Sequence, residues 1–297
     1  MVGSLTRVVV KRPEEAFRSA SAIDQQWREL AYTRPPDLEL AAREHQHLVS
    51  LLSAAGAEIL YLPEDSRTGM DSLYAHDAVL MTNEGAIILQ TGKPDRRGEG
   101  PAFADALAAW GIPVLGVIDG PSTAEAGDMV WLDEHTLLVG RGFRTNAEGI
   151  ERLSDLLRPL AVCVIPVELP YWKGPGDVLH LMSFISLVDN DLAVVYRKLM
   201  PVSLFEILHQ RGVQLVDVPD EEYESLGCNV LAVSPRNVIV VSGNPITRSR
   251  LEAAGCRVSE FAGNEICLPG AGGPTCLTRP LLRPSIPLNP HALESRE

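Results

Sequence analysis

Short apolar runs occur in pairs along this chain of 297 residues, and a polar residue stands at the head of each pair. Asp77 precedes AVLMTNEGAIIL, Asp128 precedes MVWLDEHTLLVG, His180 precedes LMSFISLVDNDLAVVY and Asn229 precedes VLAVSPRNVIVV. The pairs recur roughly every fifty residues, a period typical of propeller and repeat folds, and one more step reaches Cys276. The pattern predicts repeated β-hairpins whose leading residues occupy equivalent positions.

Segments with helical spacing follow the hairpins, and another apolar run follows each helix. The first strand is predicted over 5–11, the helices over 41–54, 103–110, 146–157, 204–211 and 247–254, and the strands after them over 58–62, 112–118, 161–167, 213–218 and 256–261. Each unit therefore reads strand, strand, helix, strand. Such units cannot bury a face alone, so they must pack around an axis. We predict an α/β fold, a five-bladed pseudo-symmetric ββαβ propeller.

The domain organisation predicted from the chain is simple. Residues 1–283 read as a single catalytic domain, and residues 284–297, which are rich in proline, read as a mobile C-terminal tail. The segments 24–36 and 171–177 are candidates for the rim of the site.

The charge balance and the absence of known motifs exclude several classes of partner. The chain has 39 acidic and 26 basic residues, which argues against a nucleic-acid partner because phosphate binding needs a basic surface. No apolar run is long enough for a membrane span, and no secretory signal is visible, so we expect no membrane partner and a cytoplasmic location. No phosphate loop, dinucleotide fingerprint or metal-ligand spacing is present, so neither a cofactor nor a metal is expected.

The five cysteines are an odd number without a CxxC pair, which argues against a disulfide framework. Cys163 and Cys256 read as small buried hydrophobic residues. Cys276 follows GAGGPT, and such tightly turned backbone exposes a sulfur atom and supplies amide donors. A core cysteine in a glycine-rich turn is the alternative, but the position of Cys276 in the repeat favours a reactive thiol.

Acids and an imidazole share the repeat position of the thiol. His180 lies in GDVLHLMSF, and a histidine that acts as a base needs a carboxylate to orient it. Glu125 and Asp128, in EAGDMVW, are the candidates. A structural histidine and a solvated turn or helix cap are the alternatives.

These motifs together resemble the guanidino-group-modifying superfamily, which contains arginine deiminase, dimethylarginine dimethylaminohydrolase (dimethylargininase) and the amidinotransferases. The resemblance runs in collinear order from the Asp77 unit to about residue 280. The motifs that carry it after Asp77 are RRGE at 96–99, EAGD at 125–128, GFRTN at 142–146, His180-Leu181 and GGPTC ending at Cys276. It is closest to the dimethylargininase-like hydrolases. The fold that the resemblance implies is the five-bladed pentein-type propeller.

The resemblance also implies the catalytic residues. Cys276 matches the nucleophile that attacks the guanidinium carbon, His180 matches the acid that protonates the leaving amine and then activates water, and Glu125 matches the acidic partner of that histidine. The reaction would pass through a covalent S-alkylthiouronium intermediate and release citrulline and an amine.

Four further residues are predicted to bind the substrate, a small guanidine derived from arginine. Asp77 matches the carboxylate that holds the guanidinium nitrogens. Arg96 and Arg144 match basic residues that bind the substrate carboxylate and organise the site, although surface ion pairs are their alternative reading. Asp128 joins this set through its place in the repeat.

Two departures from the family pattern leave the substrate open. Met182 stands where deiminases and amidinotransferases carry an aspartate, and a thioether favours an N-alkylated nitrogen over a free NH2 group. His76 occupies the place where dimethylargininases tend to carry Glu and deiminases Arg. Hydrolysis of a substituted arginine is the expected activity, with arginine deiminase, an amidinotransferase and a non-catalytic binding protein of the same fold as alternatives. A homodimer is left open.

Overall fold

A computed structural model describes residues 2–284, so the predicted tail lies outside the described residues from position 285 onward. The described chain contains five three-stranded sheets. Their strands are β1 (Arg7–Val10), β2 (Glu58–Tyr61), β3 (Val79–Met81), β4 (Ala86–Ile88), β5 (Val114–Val117), β6 (Met129–Asp133), β7 (Thr136–Arg141), β8 (Cys163–Glu168), β9 (Ile185–Asp189), β10 (Leu192–Val195), β11 (Gln214–Asp217), β12 (Leu231–Ser234), β13 (Asn237–Val241), β14 (Arg257–Phe261) and β15 (Arg279–Leu282).

Helices connect the second and third strands of every sheet. They are α1 (Pro13–Ala16), α2 (Ala20–Gln26), α3 (Leu38–Ala54), α4 (Glu99–Ala109), α5 (Ala147–Leu157), α6 (Val202–Gln210) and α7 (Pro245–Ala253). The five predicted helices correspond to α3–α7, whereas α1 and α2 were not predicted. The N-terminal insertion that contains them carries no apolar repeat long enough to reveal two short helices.

All five sheets share one strand pattern, which is the predicted ββαβ unit. The first and second strands pair antiparallel, and the third strand, reached through a helix, pairs parallel with the second. A parallel pair requires such a crossover connection, whereas an antiparallel pair needs only a turn. The five-bladed propeller predicted from the repeat is therefore confirmed.

The first sheet closes the ring, because its strands come from both ends of the chain. β15 pairs antiparallel with β1, with Val9 opposite Arg279, and β1 pairs parallel with β2. The first strands of the five sheets, β3, β6, β9, β12 and β15, all contribute to the wall of one central cavity. They are thus the inner strands, and the residues that precede them lie at one end of the propeller axis.

Helix α5 illustrates how the sequence fixes a blade. The Asn146 side chain caps the helix by accepting a hydrogen bond from the Gly149 backbone N–H at 2.8 Å. A Cβ atom at Gly149 would lie 2.0 Å from the Thr123 carbonyl oxygen, so only glycine allows this close contact. Ile150 and Leu157 are buried on the face toward the sheet, in an apolar stripe of helical period.

One prediction about the cysteines is wrong. Cys163 is exposed at the start of β8, because an edge strand that begins beside a turn leaves its first side chain uncovered, whereas Cys256 is buried as expected. Within residues 2–284, no helix combines the length and apolar character that a membrane crossing requires.

Candidate active site

A cavity of about 620 Å³ lies at the end of the axis where the inner strands begin. Four of the five residues at the repeat position line it, namely Asp77, His180, Asn229 and Cys276. The predicted rims also contribute, through Leu30 and the segment 172–178 among others. The repeat thus brings residues from separate blades to one cavity.

Cys276 stands in the wall of this cavity, held by the amide of Asn229. The Asn229 Nδ2 donates to Cys276 Sγ at 3.2 Å, and its Oδ1 accepts from the Thr275 backbone N–H at 3.0 Å. A Cβ atom at Gly273 would come within 2.5 Å of Asn229, so the glycine of the preceding turn makes room for this amide. Burial, followed by the charge of Asp77, raises the pKa of the Cys276 thiol to about 11.

His180, which lines the same cavity as Cys276, forms a buried pair with Glu125. The distance between His180 Nε2 and Glu125 Oε2 is 2.6 Å, and the carboxylate is fully buried. Burial alone would lower the pKa of His180, but the charges of Asp77 and Asp128 and the bond to Glu125 outweigh it and raise that pKa to about 9. At neutral pH the ring is therefore an imidazolium that donates to Glu125.

The carboxylate of Glu125 is held from three sides, which fixes the orientation of the imidazole. Its Oε1 accepts from the backbone N–H groups of Gly92 at 3.0 Å and Lys93 at 3.3 Å, and Arg144 Nη1 lies 3.3 Å from both oxygens. Burial opposes its ionisation, yet the hydrogen bond and charge of His180 lower the pKa of Glu125 to about 2. Glu125 is therefore an ionised carboxylate that is buried behind the cavity wall and paired with protein donors.

Asp77 is ionised and oriented by the buried Arg96. Arg96 Nη1 donates to Asp77 Oδ2 at 2.6 Å, and the Gly127 N–H donates to Asp77 Oδ1 at 3.0 Å. Burial opposes ionisation of Asp77, but the charges of Arg96 and His180 outweigh it and hold its pKa far below the usual range. Gly127 also leaves space for the imidazole, because a Cβ atom there would lie 2.3 Å from His180 Nδ1.

The geometry does not fit a substrate-binding role for Arg96. Besides its bond to Asp77, Arg96 donates through Nε and Nη2 to Glu99 at 2.9 and 2.8 Å and through Nη2 to the Tyr74 carbonyl at 3.0 Å. All three nitrogens are thus engaged within the protein. Arg96 lines the cavity but is not a surface ion pair, and its bonds leave no nitrogen free for a substrate carboxylate, whereas they agree with the other predicted role, organisation of the site.

The predicted contact of Asp128 with substrate does not fit the structure either. Asp128 is fully buried behind the cavity wall, where its neighbour Gly127 lines the cavity in its place. It accepts from the Leu181 N–H at 3.0 Å and from the Thr145 hydroxyl at 2.7 Å, and that hydroxyl accepts from the Glu125 N–H at 3.1 Å. Asp128 therefore positions both His180 and Glu125, and burial raises its pKa to about 7.

Sequence reasoning missed two residues of the cavity, Lys93 and Asp71. Lys93 Nζ donates to Asp71 Oδ2 at 2.6 Å and to the Leu30 carbonyl at 2.9 Å. No repeat or periodicity marks either residue, although Lys93 lies in the same turn as Arg96. Lys93 and Arg144 place two cationic groups in the cavity wall.

The floor of the cavity consists of Met182 and His76, which offer no carboxylate. His76 Nδ1 donates to the Thr278 carbonyl at 2.9 Å. Burial, followed by the charge of Arg279, lowers the pKa of His76 to about 3, so its ring is neutral. The two positions that depart from the family pattern are thus adjacent to the same cavity.

Asp77, Glu125 and His180 have ligand atoms within 4.8 Å of one another, the spacing of a metal site. Two carboxylates and an imidazole are a common donor set for zinc. Here, however, Asp77 binds Arg96 and Glu125 binds both His180 and Arg144, so the donor atoms are already paired within the protein. The expectation that no metal is needed stays a prediction.

Comparison of the chain with known proteins shows its family. The family model for N,N dimethylarginine dimethylhydrolase, eukaryotic, matches residues 13–283. The N(G),N(G)-dimethylarginine dimethylaminohydrolase of Streptomyces coelicolor is 29% identical over 249 residues, which cover 82% of this chain and 86% of that protein. An arginine deiminase of Listeria monocytogenes serovar 1/2a is 26% identical over 259 residues, which cover 72% of this chain and 61% of the deiminase.

The solved structures support the same fold. A cysteine-to-serine mutant of DDAH from Pseudomonas aeruginosa, complexed with citrulline, superposes with a TM-score of 0.76 at 24% identity, over 93% of this chain and 99% of that chain. The resemblance to the guanidino-group-modifying superfamily is therefore confirmed. Because the family model spans nearly the whole chain, the protein belongs to the N,N dimethylarginine dimethylhydrolase family.

Proposed function

We propose that the protein hydrolyses an arginine derivative whose guanidinium carries an N-alkyl group, and that it releases citrulline and an amine. The observation that supports this most directly is the charged His180–Glu125 pair at 2.6 Å, because its histidine lines the same cavity as Cys276. A thiol, an acid that is protonated at neutral pH and buried carboxylates are the groups that this reaction requires.

Electrostatics favour a cationic substrate in this cavity. A guanidinium near Cys276 neutralises the field of Asp77, which is one of the causes of the raised pKa of the thiol. The positive charge of the substrate therefore stabilises the thiolate at the moment when it is needed. Without that charge, the thiol stays protonated and unreactive near neutral pH.

In the first half of the reaction, the Cys276 thiol loses its proton to solvent, and the thiolate forms a bond to the guanidinium carbon. His180 transfers its proton to the substituted nitrogen, the C–N bond breaks and the amine leaves, so that an S-alkylthiouronium remains. In the second half, neutral His180 takes a proton from water, and the resulting hydroxide attacks the same carbon. The C–S bond then breaks, the hydroxyl proton of the adduct passes to solvent, and citrulline and the thiolate are released.

The floor of the cavity supports an N-alkylated substrate. A free NH2 group against Met182 would lose hydrogen bonding worth about 1–3 kcal/mol, whereas a methyl group has no such requirement. Neutral His76 is tied to Thr278 and supplies no negative charge to a free NH2 group. The family pattern and this apolar floor point to the same class of substrate.

The amino-acid end of the substrate meets Arg144 and Lys93. Arg144 and Lys93 are cations in the cavity wall, and Asp71, the partner of Lys93, is a carboxylate that lines the same cavity. This set suits a zwitterionic head group, whose carboxylate faces the cations and whose ammonium faces Asp71. Of the two arginines predicted to bind the substrate carboxylate, Arg144 keeps that role.

A substrate panel tests the proposal. Purified protein is incubated with asymmetric dimethylarginine, monomethylarginine and arginine, and citrulline, alkylamines and ammonia are quantified. We expect dimethylamine and citrulline in equal amounts, no turnover by Cys276→Ser, and unchanged turnover by Cys163→Ser, since Cys163 is exposed and does not line the cavity.

Each alternative gives a different result in this panel. Ammonia released faster from arginine than amine from its methylated forms indicates a deiminase, and ornithine that appears only with an added amine acceptor indicates an amidinotransferase. Binding without any product indicates a binding protein. The cytoplasmic location and the homodimer remain predictions, the latter to be tested by light scattering.

A further inference from the structure

A second cavity, of about 440 Å³, lies on the propeller axis beyond the floor of the active site. His76 and Met182 line both cavities and separate them. The five inner strands form the wall of the second cavity, and their side chains there are mainly apolar. They include Leu80, Val130, Ile185, Leu187, Leu231 and Leu281. This space opens at the end of the propeller opposite the catalytic thiol.

Three arginines line this cavity, although the protein as a whole has a net charge of −13. Arg7 pairs with Glu58 outside the cavity, at 2.7 Å. Arg283 donates to the backbone carbonyls of Gly3 and Ala232. Arg279 lies deepest among the three, with 8% of its surface exposed. Glu84, an exposed residue, is the carboxylate among the described lining residues.

Arg279 is a buried cation without a carboxylate partner among the described residues. Its Nη1 donates to the Val79 carbonyl at 3.0 Å, to the His76 carbonyl at 3.3 Å and to His76 Nε2 at 3.4 Å. Its Nε has no hydrogen-bond partner within residues 2–284, and the bonds of the guanidinium to described residues all run through Nη1. This differs from the other buried arginine on the axis, Arg96, which meets two carboxylates. Burying an unpaired charge is costly, so the free edge of the guanidinium needs an anion.

Thr275 provides a second unpartnered group in the same wall. Its side chain is 9% exposed, and its hydroxyl oxygen has no hydrogen-bond partner among the described residues. Burial, followed by repulsion from Arg283, also lowers the pKa of Arg279 to about 9, although the charge of Asp77 opposes this, so the nearby carboxylate does not offset the burial of the cation. Geometry and charge therefore point to the same missing partner.

We propose that the second cavity binds a small organic carboxylate, held by the Nε–Nη2 edge of Arg279 and the hydroxyl of Thr275. A carboxylate matches the planar fork of a guanidinium edge, and its two oxygens satisfy both nitrogens at once. The apolar walls of the inner strands accommodate a short hydrocarbon or aromatic body. The ligand is thus an amphipathic monocarboxylate, and its site is separate from the cavity that holds Cys276.

Binding is measured with the Cys276→Ser variant, so that turnover plays no part and the result is independent of the proposed function. Benzoate and butyrate are titrated by calorimetry and by tryptophan fluorescence, since Trp131 lines the second cavity. Benzamide and butyramide are the neutral isosteres of the two probes. We expect saturable binding of one carboxylate per chain and at least tenfold weaker binding of the amides.

Two variants assign the binding to this cavity. Arg279→Met removes the charged partner and is expected to weaken carboxylate binding about ten- to hundredfold. Arg141→Met, at an exposed arginine paired with Glu168, is the matched control and leaves the affinity unchanged. If Arg279→Met does not fold, Thr275→Val takes its place as the test, since it keeps the shape of the side chain. We expect it to weaken carboxylate binding about fivefold.

Several outcomes overturn the proposal. It is wrong if neither carboxylate binds at tens of millimolar concentration, if the amides bind equally well, or if Arg279→Met leaves the affinity unchanged. It is also wrong if citrulline displaces the carboxylate competitively, because the anion then occupies the active-site cavity near Arg144. Non-competitive binding that depends on Arg279 supports the second site.

Discussion

Replacing Glu125 by glutamine should move the alkaline limit of activity without abolishing activity at lower pH. The substitution keeps an oxygen that can accept from the Gly92 N–H and replaces the charged acceptor of His180 by an amide. The new NH2 group can donate to the imidazole only when His180 Nε2 is unprotonated. The variant therefore favours neutral histidine, and the pKa of His180 must fall.

The magnitude follows from the geometry of the pair. A hydrogen bond between a buried carboxylate and a charged donor contributes about 1.5–3 kcal/mol, and about 1.4 kcal/mol corresponds to one pH unit. The pKa of His180, raised to about 9 in the native protein, should thus fall by about one to two units in Glu125→Gln, since Asp77 and Asp128 still raise it. At pH 8 about nine-tenths of His180 is protonated in the native protein and about one-tenth to one-half in the variant.

The assay is the ratio of kcat/KM in the variant to that in the native protein from pH 6 to pH 9.5. Because the thiol titrates in both proteins, its contribution cancels in the ratio. We expect the ratio to fall as pH rises, by up to about tenfold between pH 6 and pH 8. Glu29→Gln, at an exposed glutamate on the rim, is the control and should give a flat ratio. A ratio for Glu125→Gln that is reduced equally at every pH would refute the reasoning, because Glu125 would then not hold the proton on His180.

Three further substitutions test other parts of the site. The pKa of Asp128 is raised to about 7, so the folded state binds this proton more tightly than the unfolded chain, and the carboxyl makes stability fall as pH rises from about 4 to 7. The Tm of Asp128→Asn minus the Tm of the native protein should therefore rise over that pH range and then level off. A difference in Tm that stays constant with pH would contradict this. Met182→Asp should raise the ratio of kcat/KM for arginine to that for dimethylarginine by about tenfold or more, since it restores a charged acceptor for a free NH2 group, and an unchanged ratio argues against selectivity at this position. Arg96→Met should lower the free energy of unfolding in urea by about 3–5 kcal/mol, because two buried carboxylates lose their partner, and a loss below about 1 kcal/mol would contradict the buried ion-pair network.

The fold could be predicted from the sequence because the hydrophobic pattern repeats once in each blade. Each blade needs three apolar strands, a polar turn and an amphipathic helix, and the chain supplies them at a nearly constant period. Helix ends were less accurate, and α3 begins at Leu38 because the Asp37 carboxylate caps it by accepting from the Leu40 N–H. Helices α1 and α2, inserted within one blade, follow no repeat and were missed.

The repeat predicts which residues reach one end of the axis, but it cannot predict where their side chains point. Asp128 holds the repeat position of its blade, yet a short 3-10 turn directs it behind the wall and brings Gly127 to the cavity instead. A periodic pattern records backbone position, and orientation depends on hydrogen bonds with Thr145 and Leu181 from other segments. The roles of Arg96 and Lys93 depend on contacts of the same non-local kind.

The charges of the site also determine its resting state. Since the pKa of His180, about 9, lies below that of Cys276, about 11, proton transfer from the thiol to the imidazole cannot generate the thiolate: at neutral pH the imidazole already carries its proton, and so does the sulfur. In the proposed mechanism, the acid for the leaving amine is therefore ready before the substrate binds, whereas the nucleophile is not. In that mechanism a cation placed beside Cys276 lowers the pKa of the thiol and favours its ionisation, so reactivity depends on the charge of the substrate and not on its shape alone. A neutral isostere of the substrate that fits the cavity should consequently bind without activating the sulfur.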